Sequence, residues 1–163
     1  MMAMNFTIRK ITKKDSDWIL EFLRPGGADF IVSRGRKIFL SEMEGFCAED
    51  SSGKKVGLIT FEIRDGQCEI VTLDAFEKFQ GVGTVLIKQL IETVRSWGNR
   101  RIWLITTNDN LEAVRFYQRR GFNLHAVHKN ALQYSRMLKP TIPEIGYFGI
   151  PMRDEIEFEM MLE

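Results

Sequence analysis

One stretch of this chain constrains its fold more than any other: an apolar strand that passes through two closely spaced glycines into a helix. It reads "EIVTLDAFEKFQGVGTVLIKQLIETV", from Glu69 to Val94. Gly81 and Gly83 lie where the helix begins, although glycine costs a helix roughly 1 kcal/mol compared with alanine. The first turn of a helix has N–H donors outside its own ladder and carries the positive end of the dipole, so this pattern is typical of a phosphate-binding turn.

The turn predicts a cradle of backbone amides from Gln80 to Thr84, with the Thr84 hydroxyl as a further donor. Glycines would let a pyrophosphate approach this backbone closely. The alternative is a turn that uses glycine only for its positive φ, and this stretch alone leaves both open. Two well-known phosphate loops are excluded by spacing, because "FQGVGTVL" is neither G-x-G-x-x-G nor part of a G-x-x-x-x-G-K-[ST] motif.

The first half of the chain predicts an antiparallel meander. "NFTIRKIT" alternates like a strand, and "KKDSDWILEFLRPGG" favours a short helix. "GFCAED" and the runs that start at Val56 and Cys68 indicate three more strands, with turns at 51–54 and 65–66. Ala28 to Met43 stays open between strand and helix.

The second half alternates helices and strands. A helix is predicted from Gly83 to Trp97, a strand over Arg101–Thr107, a helix in "NLEAVRFYQRRG" and a strand in "FNLHAVHKN". A looser stretch with three prolines follows, and "DEIEFEMMLE" alternates as a final strand. That alternation is expected to place its apolar residues on one face and its glutamates on the other, toward a substrate site or solvent: Ile156, Phe158, Met160 and Leu162 against Glu155, Glu157 and Glu159. The fold class is therefore α/β, with a mixed sheet of about seven strands and helices on both faces.

Composition limits the classes of protein. A chain of 163 residues with 44% hydrophobic residues suits a single domain over residues 1–163. The net charge of +1 gives no global field for nucleic acid, and no apolar run approaches the ~20 residues that span a bilayer, so we expect neither partner. Two cysteines and two histidines lack zinc spacing, so no metal is expected, and buried inert thiols are the expected state of Cys47 and Cys68. The cysteine count also favours a cytoplasmic location.

A second motif, "TTNDNLEAVRFYQRRGF", follows the Arg101–Thr107 strand. It matches N-x-x-A-x-x-[FL]-Y-x-x-x-G-F without a gap, at Asn110, Ala113, Phe116, Tyr117, Gly121 and Phe122. The glycine turn matches [QR]-x-x-G-x-[GA] at Gly81 and Gly83, with Lys78 where Gln or Arg is usual. With both motifs in this order, the chain resembles the GCN5-related N-acetyltransferase (GNAT) superfamily, by motif over about residues 45 to 128 and by element order throughout.

The resemblance implies a GNAT-type fold that binds acetyl-CoA in a splayed cleft between the fourth and fifth strands of the family sheet. It implies that the backbone of Leu73 lies near the thioester carbonyl, where charge develops as an amine attacks. The cofactor-binding residues that it implies are Leu73, Asp74, Ala75, Lys78, Phe79, Gln80, Gly81, Val82, Gly83, Thr84, Asn110, Ala113 and Phe116.

The resemblance also implies catalytic residues. Tyr117 matches the residue that protonates the departing CoA thiolate, and ring packing under the sheet is its alternative role. A protonated acceptor amine must first lose a proton, which calls for a base. Glu69 is the predicted base, because it lies four residues before Leu73 and is expected on the same strand face; Glu62 on the neighbouring strand is its rival.

The predicted function is an acetyl-CoA-dependent N-acetyltransferase that moves an acetyl group directly to a primary amine of a small molecule or peptide in a ternary complex. One alternative is a catalytically silent acyl-CoA-binding or sensing module on the same fold. A mononucleotide-binding domain would keep the glycines but has no use for Asn110 and Tyr117. The resemblance implies an acceptor pocket built from about Leu23–Met43 and Ala131–Asp154, and a homodimer is an open alternative to a monomer.

Overall fold

The computed structural model describes residues 5–23, 28–76 and 81–163. Within these ranges the chain forms nine strands and four α-helices, and seven of the strands belong to a mixed sheet. The strands are β1 (Phe6–Lys10), β2 (Phe30–Ser33), β3 (Arg36–Phe39), β4 (Glu44–Asp50), β5 (Lys55–Arg64), β6 (Gln67–Ala75), β7 (Arg101–Thr107), β8 (Asn123–His128) and β9 (Glu155–Met161). The helices are α1 (Ser16–Leu23), α2 (Val82–Ser96), α3 (Leu111–Arg119) and α4 (Ala131–Leu138). The α/β fold class is confirmed.

The chain divides into two compact units. The first comprises the described residues of Met1–Asp17, Met43–Ile102 and Leu162–Glu163. Its strands follow the order β1-β4-β5-β6, and each neighbouring pair is antiparallel. This arrangement is the meander predicted from the first half of the sequence.

Helix α2 packs on one face of this meander. A Cβ at Gly57 of β5 would clash with the Val82 side chain, so glycine permits the close approach of helix and strand. Val82, Leu86, Leu90 and Val94 recur every four residues on one face of α2 and are fully buried. Burying a large aliphatic side chain contributes roughly 1.5–3 kcal/mol, so this face accounts for much of the attachment of α2.

The second unit comprises the described residues of Trp18–Glu42 and Trp103–Met161. Its sheet strands follow the order β7-β9-β8, and β8 pairs antiparallel with β9. Because β9 lies between two other strands, the C-terminal stretch is an integral part of the sheet, as predicted. Phe158 of β9 is fully buried.

The stretch that the sequence left open is a β-hairpin. Strands β2 and β3 pair antiparallel as a separate two-stranded sheet, and Arg34 and Gly35 form the turn between them. Both turn residues have positive φ, 50° at Arg34 and 73° at Gly35. A two-residue turn with this geometry prefers Asn-Gly, and the left-handed region costs a residue such as arginine roughly 1–2 kcal/mol.

The proline-containing stretch was read as loose, and that prediction was wrong at its start. Helix α4 occupies Ala131–Leu138, and Leu132 and Ser135 are buried on one side of it. All three prolines of the stretch follow this helix, which ends two residues before Pro140. Proline disfavours helical backbone in the residue before it, so the prolines mark the end of a helix and do not exclude one.

The glutamate prediction for the last strand was also wrong in part. Glu155 is only 2% exposed and Glu157 9% exposed, so neither faces open solvent. Glu157 contacts His125 and His128 of β8, and Glu155 pairs with Arg34. Alternation separated the two faces, but it could not show that two histidines and an arginine contact the glutamate face.

Among the described residues, no helix is long and apolar enough to cross a membrane.

Candidate active site

The glycine turn leads from β6 into α2 in the first unit. Gly81 occupies the N-cap position of α2 with φ 86°, a conformation that side-chain-bearing residues rarely adopt. A Cβ at this position would have no atom of the described residues within 4 Å. Three of the predicted phosphate-loop residues, Lys78, Phe79 and Gln80, lie outside the described residues.

The first turn of α2 fits an anion. Its first intrahelical bond runs from the amide of Val85 to the carbonyl of Gly81, at 3.0 Å. The amides of Val82 and Gly83 precede this bond, and Gly81 has no side chain that could cap them. The Val82 side chain is fully buried, so this part of the turn presents backbone and no bulky side chain. A pyrophosphate would therefore find N–H donors and the positive end of a helix dipole.

A β-bulge in β6 changes which residues share a face. Thr72 lies opposite Thr60 of β5, but Ile70 lies opposite the next residue, Phe61, so Val71 is an extra residue on β6. Glu69 consequently pairs with Glu62, whereas Leu73 pairs with Ile59 on the other face. The expectation that Glu69 and Leu73 share a face was wrong, because simple alternation fails across a bulge.

The face that carries Glu69 is polar. Its two candidate bases, Glu62 and Glu69, are direct cross-strand partners, and Glu69 is only 4% exposed. The hydroxyls of Thr60 and Thr72 lie 2.6 Å apart on the same face. Asp74 follows on this face, and burial raises the pKa of its carboxyl above the usual range. Strands β5 and β6 thus bring five ionisable or hydroxyl-bearing side chains onto one face, opposite the face that carries Leu73.

The two cysteines take no part in a nucleophilic site. Burial raises the pKa of the Cys47 thiol to about 11 and that of Cys68 to about 12. Both therefore stay protonated at neutral pH and act as core side chains, as predicted.

The second motif forms α3 in the second unit. The Asn110 side chain accepts a hydrogen bond from the amide of Ala113 at 3.1 Å and so caps the helix. This bond explains the three-residue spacing of the motif, because an N-cap side chain reaches the third residue of the helix. Contact of Asn110 and Ala113 with a cofactor stays a prediction.

Tyr117 lies on the buried side of α3 and is 8% exposed. Its ring packs edge-on against Phe116 and Phe122, with centroids 5.2 and 5.4 Å away. The Arg120 guanidinium stacks 3.6 Å from the centre of the Phe116 ring and donates to the Phe116 carbonyl. The ring of Tyr117 is thus held by aromatic packing, and its proposed acid role stays a prediction.

Each unit brings part of the predicted set together. The first places Leu73, Asp74 and Ala75 at the end of β6, and Gly81, Val82, Gly83 and Thr84 at the start of α2. The second places Asn110, Ala113, Phe116 and Tyr117 along α3.

Sequence reasoning missed Asp109, which is 1% exposed. Its carboxylate accepts hydrogen bonds from the Thr107 hydroxyl and from the amide of Tyr147, at 2.9 Å for the latter. This carboxylate therefore ties the start of α3 to the chain after α4. The polar run "TTNDN" between a strand and a helix was the available signal, but it does not identify the distant partner.

No group of His, Cys, Asp and Glu in the described part of the chain could hold a metal ion. His125 and His128 lie on β8, where they contact glutamates of β9.

A sequence model of the Acetyltransferase (GNAT) family matches residues 16–122, which include both motifs. The chain belongs to this family. A curated relative of the chain is the uncharacterised protein YdhI of Bacillus subtilis (strain 168). That relative is 44% identical over 139 residues, which cover 85% of this chain and 86% of the relative.

Solved structures share the GNAT fold. An IAA acetyltransferase from Bacillus cereus ATCC 14579 has a TM-score of 0.74 at 22% identity, covering 96% of this chain and 99% of the other. A GNAT family acetyltransferase from Elizabethkingia anophelis, solved with acetyl-CoA bound, has a TM-score of 0.69 at 23% identity, covering 97% and 99%. At these identities the likeness establishes the fold, and the acetyl-CoA complex belongs to the Elizabethkingia protein.

Proposed function

We propose that the protein is an acetyl-CoA-dependent N-acetyltransferase that transfers the acetyl group directly to a primary amine of a small molecule or peptide. The observation that carries this proposal is Gly81 at the N-cap of α2, with positive φ and no atom of the described residues within 4 Å of its Cβ position. Family membership supplies the reaction class, and the turn supplies a site for the pyrophosphate of the cosubstrate. Acetyl-CoA, when bound, provides an activated thioester.

The backbone of the turn and of β6 would hold and polarise the cosubstrate. Amides of Val82 and Gly83 would donate to the pyrophosphate, with Thr84 beside them. The backbone of Leu73 would donate to the acetyl carbonyl, where negative charge grows during attack.

The chemistry needs two proton movements. The amine loses a proton, its nitrogen forms a bond to the acetyl carbon, and the carbon–sulfur bond breaks with its electron pair on sulfur. Tyr117 would donate the proton that the thiolate takes up. The candidate bases remain Glu69 and Glu62, which share one polar face with Asp74, and burial raises the pKa of the Asp74 carboxyl above its usual range.

We further propose that residues 1–163 act as one acetyltransferase domain and that the protein works in the cytoplasm. The cysteine content supports the location, since two buried thiols need no oxidising compartment.

The direct test combines calorimetry with a screen for CoA release. We expect acetyl-CoA to bind the full chain, and CoA to be released with at least one of spermidine, an aminoglycoside, free amino acids or an alanine-initiated peptide. No binding at millimolar acetyl-CoA would contradict both the enzyme and the sensing module. Binding without turnover on a broadened amine panel would favour the sensing module.

A further inference from the structure

The hairpin of β2 and β3 is attached to its unit through two charged side chains. At its tip, the amide and the guanidinium Nη1 of Arg34 donate to the two carboxylate oxygens of Glu155, at 3.3 and 3.0 Å. At its base, the Lys139 ammonium donates to the carbonyl of Phe30 at 3.1 Å. These contacts join segments 121 and 109 residues apart in the sequence.

The identity of the turn residue points to the tip contact. Position 34 requires positive φ, which favours Asn or Gly, yet the chain has arginine there. An arginine at this position places both its amide and its side chain on one carboxylate, which Asn or Gly cannot do. The unfavourable conformation is thus accompanied by a charge-assisted pair of bonds.

The other partner, Glu155, follows residues that are fixed by hydrogen bonds to the start of α4. Glu155 is 2% exposed at the start of β9, and a carboxylate this deeply buried depends on its cation. The preceding residue, Asp154, accepts from the amide of Asn130, and the amide of Leu132 donates to Arg153. Glu155 therefore follows a segment that is fixed by hydrogen bonds within the unit. Arg34 lies at the tip of the hairpin, with 42% of its side chain exposed.

The hairpin forms a two-stranded sheet that is separate from the seven-stranded sheet. Its base is closed by the bond from Leu40 to Asp29, and Ile38 and Ser33 are buried on one of its faces. The glycine turn that would hold acetyl-CoA belongs to the other unit. Because the family resemblance implies an acceptor pocket that includes Leu23–Met43, a change in the hairpin should alter amine binding before it alters acetyl-CoA binding.

We propose that Arg34 and Glu155 form a latch that fixes the β2–β3 hairpin and thereby positions the acceptor amine. This inference rests on the proposed function and adds two positioning residues to it. Neither residue is assigned a proton transfer.

The test uses Arg34→Asn, which suits the turn but removes the guanidinium, together with Glu155→Gln and the double variant. Lys37→Asn is the matched control, because it removes an exposed cation from the same hairpin. The Lys37 ammonium lies over the Phe30 ring and not against Glu155. Each full-length protein is measured by hydrogen exchange over residues 30–39, by acetyl-CoA calorimetry, and by the KM of the amine in the panel that releases most CoA.

We expect both single variants to speed hairpin exchange about tenfold and to raise the amine KM about fivefold, with the acetyl-CoA Kd changed by less than about twofold. The double variant should be no worse than the more affected single variant, because both break the same contact. Lys37→Asn should change none of the three quantities beyond about twofold.

Unchanged exchange in both single variants would overturn the latch. Faster exchange with an unchanged amine KM, or a rise in the acetyl-CoA Kd as large as that in KM, would overturn the positioning role. If the unaltered protein binds no acetyl-CoA, the proposed function has failed and the positioning role falls with it, whereas the exchange result still decides whether the latch exists.

Discussion

The glycine turn of the first unit and the β2–β3 hairpin of the second are built in different ways. The turn is specified within a few residues: Gly81 adopts positive φ, and Val82 anchors the start of α2 in the core. The hairpin is held by residues more than 100 positions away, Glu155 and Lys139. The predicted cofactor end is therefore encoded locally, while the region expected to meet the acceptor depends on long-range polar contacts.

This difference has a physical consequence for each region. A local turn tolerates changes elsewhere as long as its own strand and helix form. A region held by buried charges fails when one partner is lost, because the other charge is left in a low-dielectric environment. Lys139 illustrates the cost, since burial lowers the pKa of its ammonium below the usual range.

The largest expected effect comes from removing the long-range partners altogether. Deleting the residues after Arg153 removes β9, including the fully buried Phe158 and the carboxylate of Glu155. Each large apolar side chain contributes roughly 1.5–3 kcal/mol, against a total stability of about 5–15 kcal/mol. We expect the truncated chain to show no cooperative melting transition by circular dichroism.

Deletion of the exposed Glu163 alone is the control and should leave the melt unchanged. A cooperative, near-native melt of the longer truncation would show that the second unit does not depend on β9.

The same division explains what the sequence could predict. Periodicity identified α2, α3 and β7 with almost their observed bounds, since each has an apolar pattern of its own. The N-x-x-A spacing was recognised as a motif, and the structure supplies its cause in the Asn110 cap. The β6 bulge was not predictable from alternation, and it moved Glu69 off the face of Leu73.

The second unit shows the limit more clearly. The hairpin was ambiguous because its pairing is decided by two positive-φ residues, and one of them is an arginine that turn preferences would not select. Helix α4 was missed because its eight residues were grouped with the prolines that follow. The roles of Asp109 and Glu155 depend on partners that no local pattern reveals.

The next largest effect tests the chemistry of the second unit. Tyr117→Phe keeps the aromatic packing against Phe116 and Phe122 and removes only the hydroxyl. If this hydroxyl protonates the thiolate, kcat should fall by about 100-fold or more with little change in the acetyl-CoA Kd. Steady-state CoA release and calorimetry measure the two quantities.

Phe122→Leu is a packing control. Because Phe122 is 2% exposed, this variant should lower the free energy of unfolding and leave kcat almost unchanged. A Tyr117→Phe variant that keeps kcat within about twofold would make Tyr117 a packing residue only.

A smaller effect is expected at the local cradle. Gly83→Val adds a branched side chain at the first turn of α2, where the phosphate is expected, and should weaken acetyl-CoA binding about tenfold or more. Lys88→Val places the same residue on the exposed side of the same helix and controls for helix propensity. If both variants weaken binding equally, the loss reflects the helix and not the cradle.

The smallest expected effect is a gain in stability at Phe148, in the second unit. This residue has φ 59° and is 70% exposed, so it takes a costly conformation without burying its ring. The left-handed region costs such a residue roughly 1–2 kcal/mol, whereas asparagine tolerates it. Phe148→Asn should therefore stabilise the protein by about 0.5–1 kcal/mol, which raises Tm by about 1–4 °C in a chain of this length.

Tyr147→Asn is the matched control, because Tyr147 is 65% exposed and is not among the positive-φ residues. This variant should not raise Tm. The hydrogen bond to Asp109 comes from the backbone amide of Tyr147, so it survives the substitution. If Phe148→Asn melts no higher than this control, contacts of the Phe148 ring must offset the backbone cost. The exposed loop after α4 would then be held by apolar packing at its tip as well as by the buried carboxylate of Asp109 at its base.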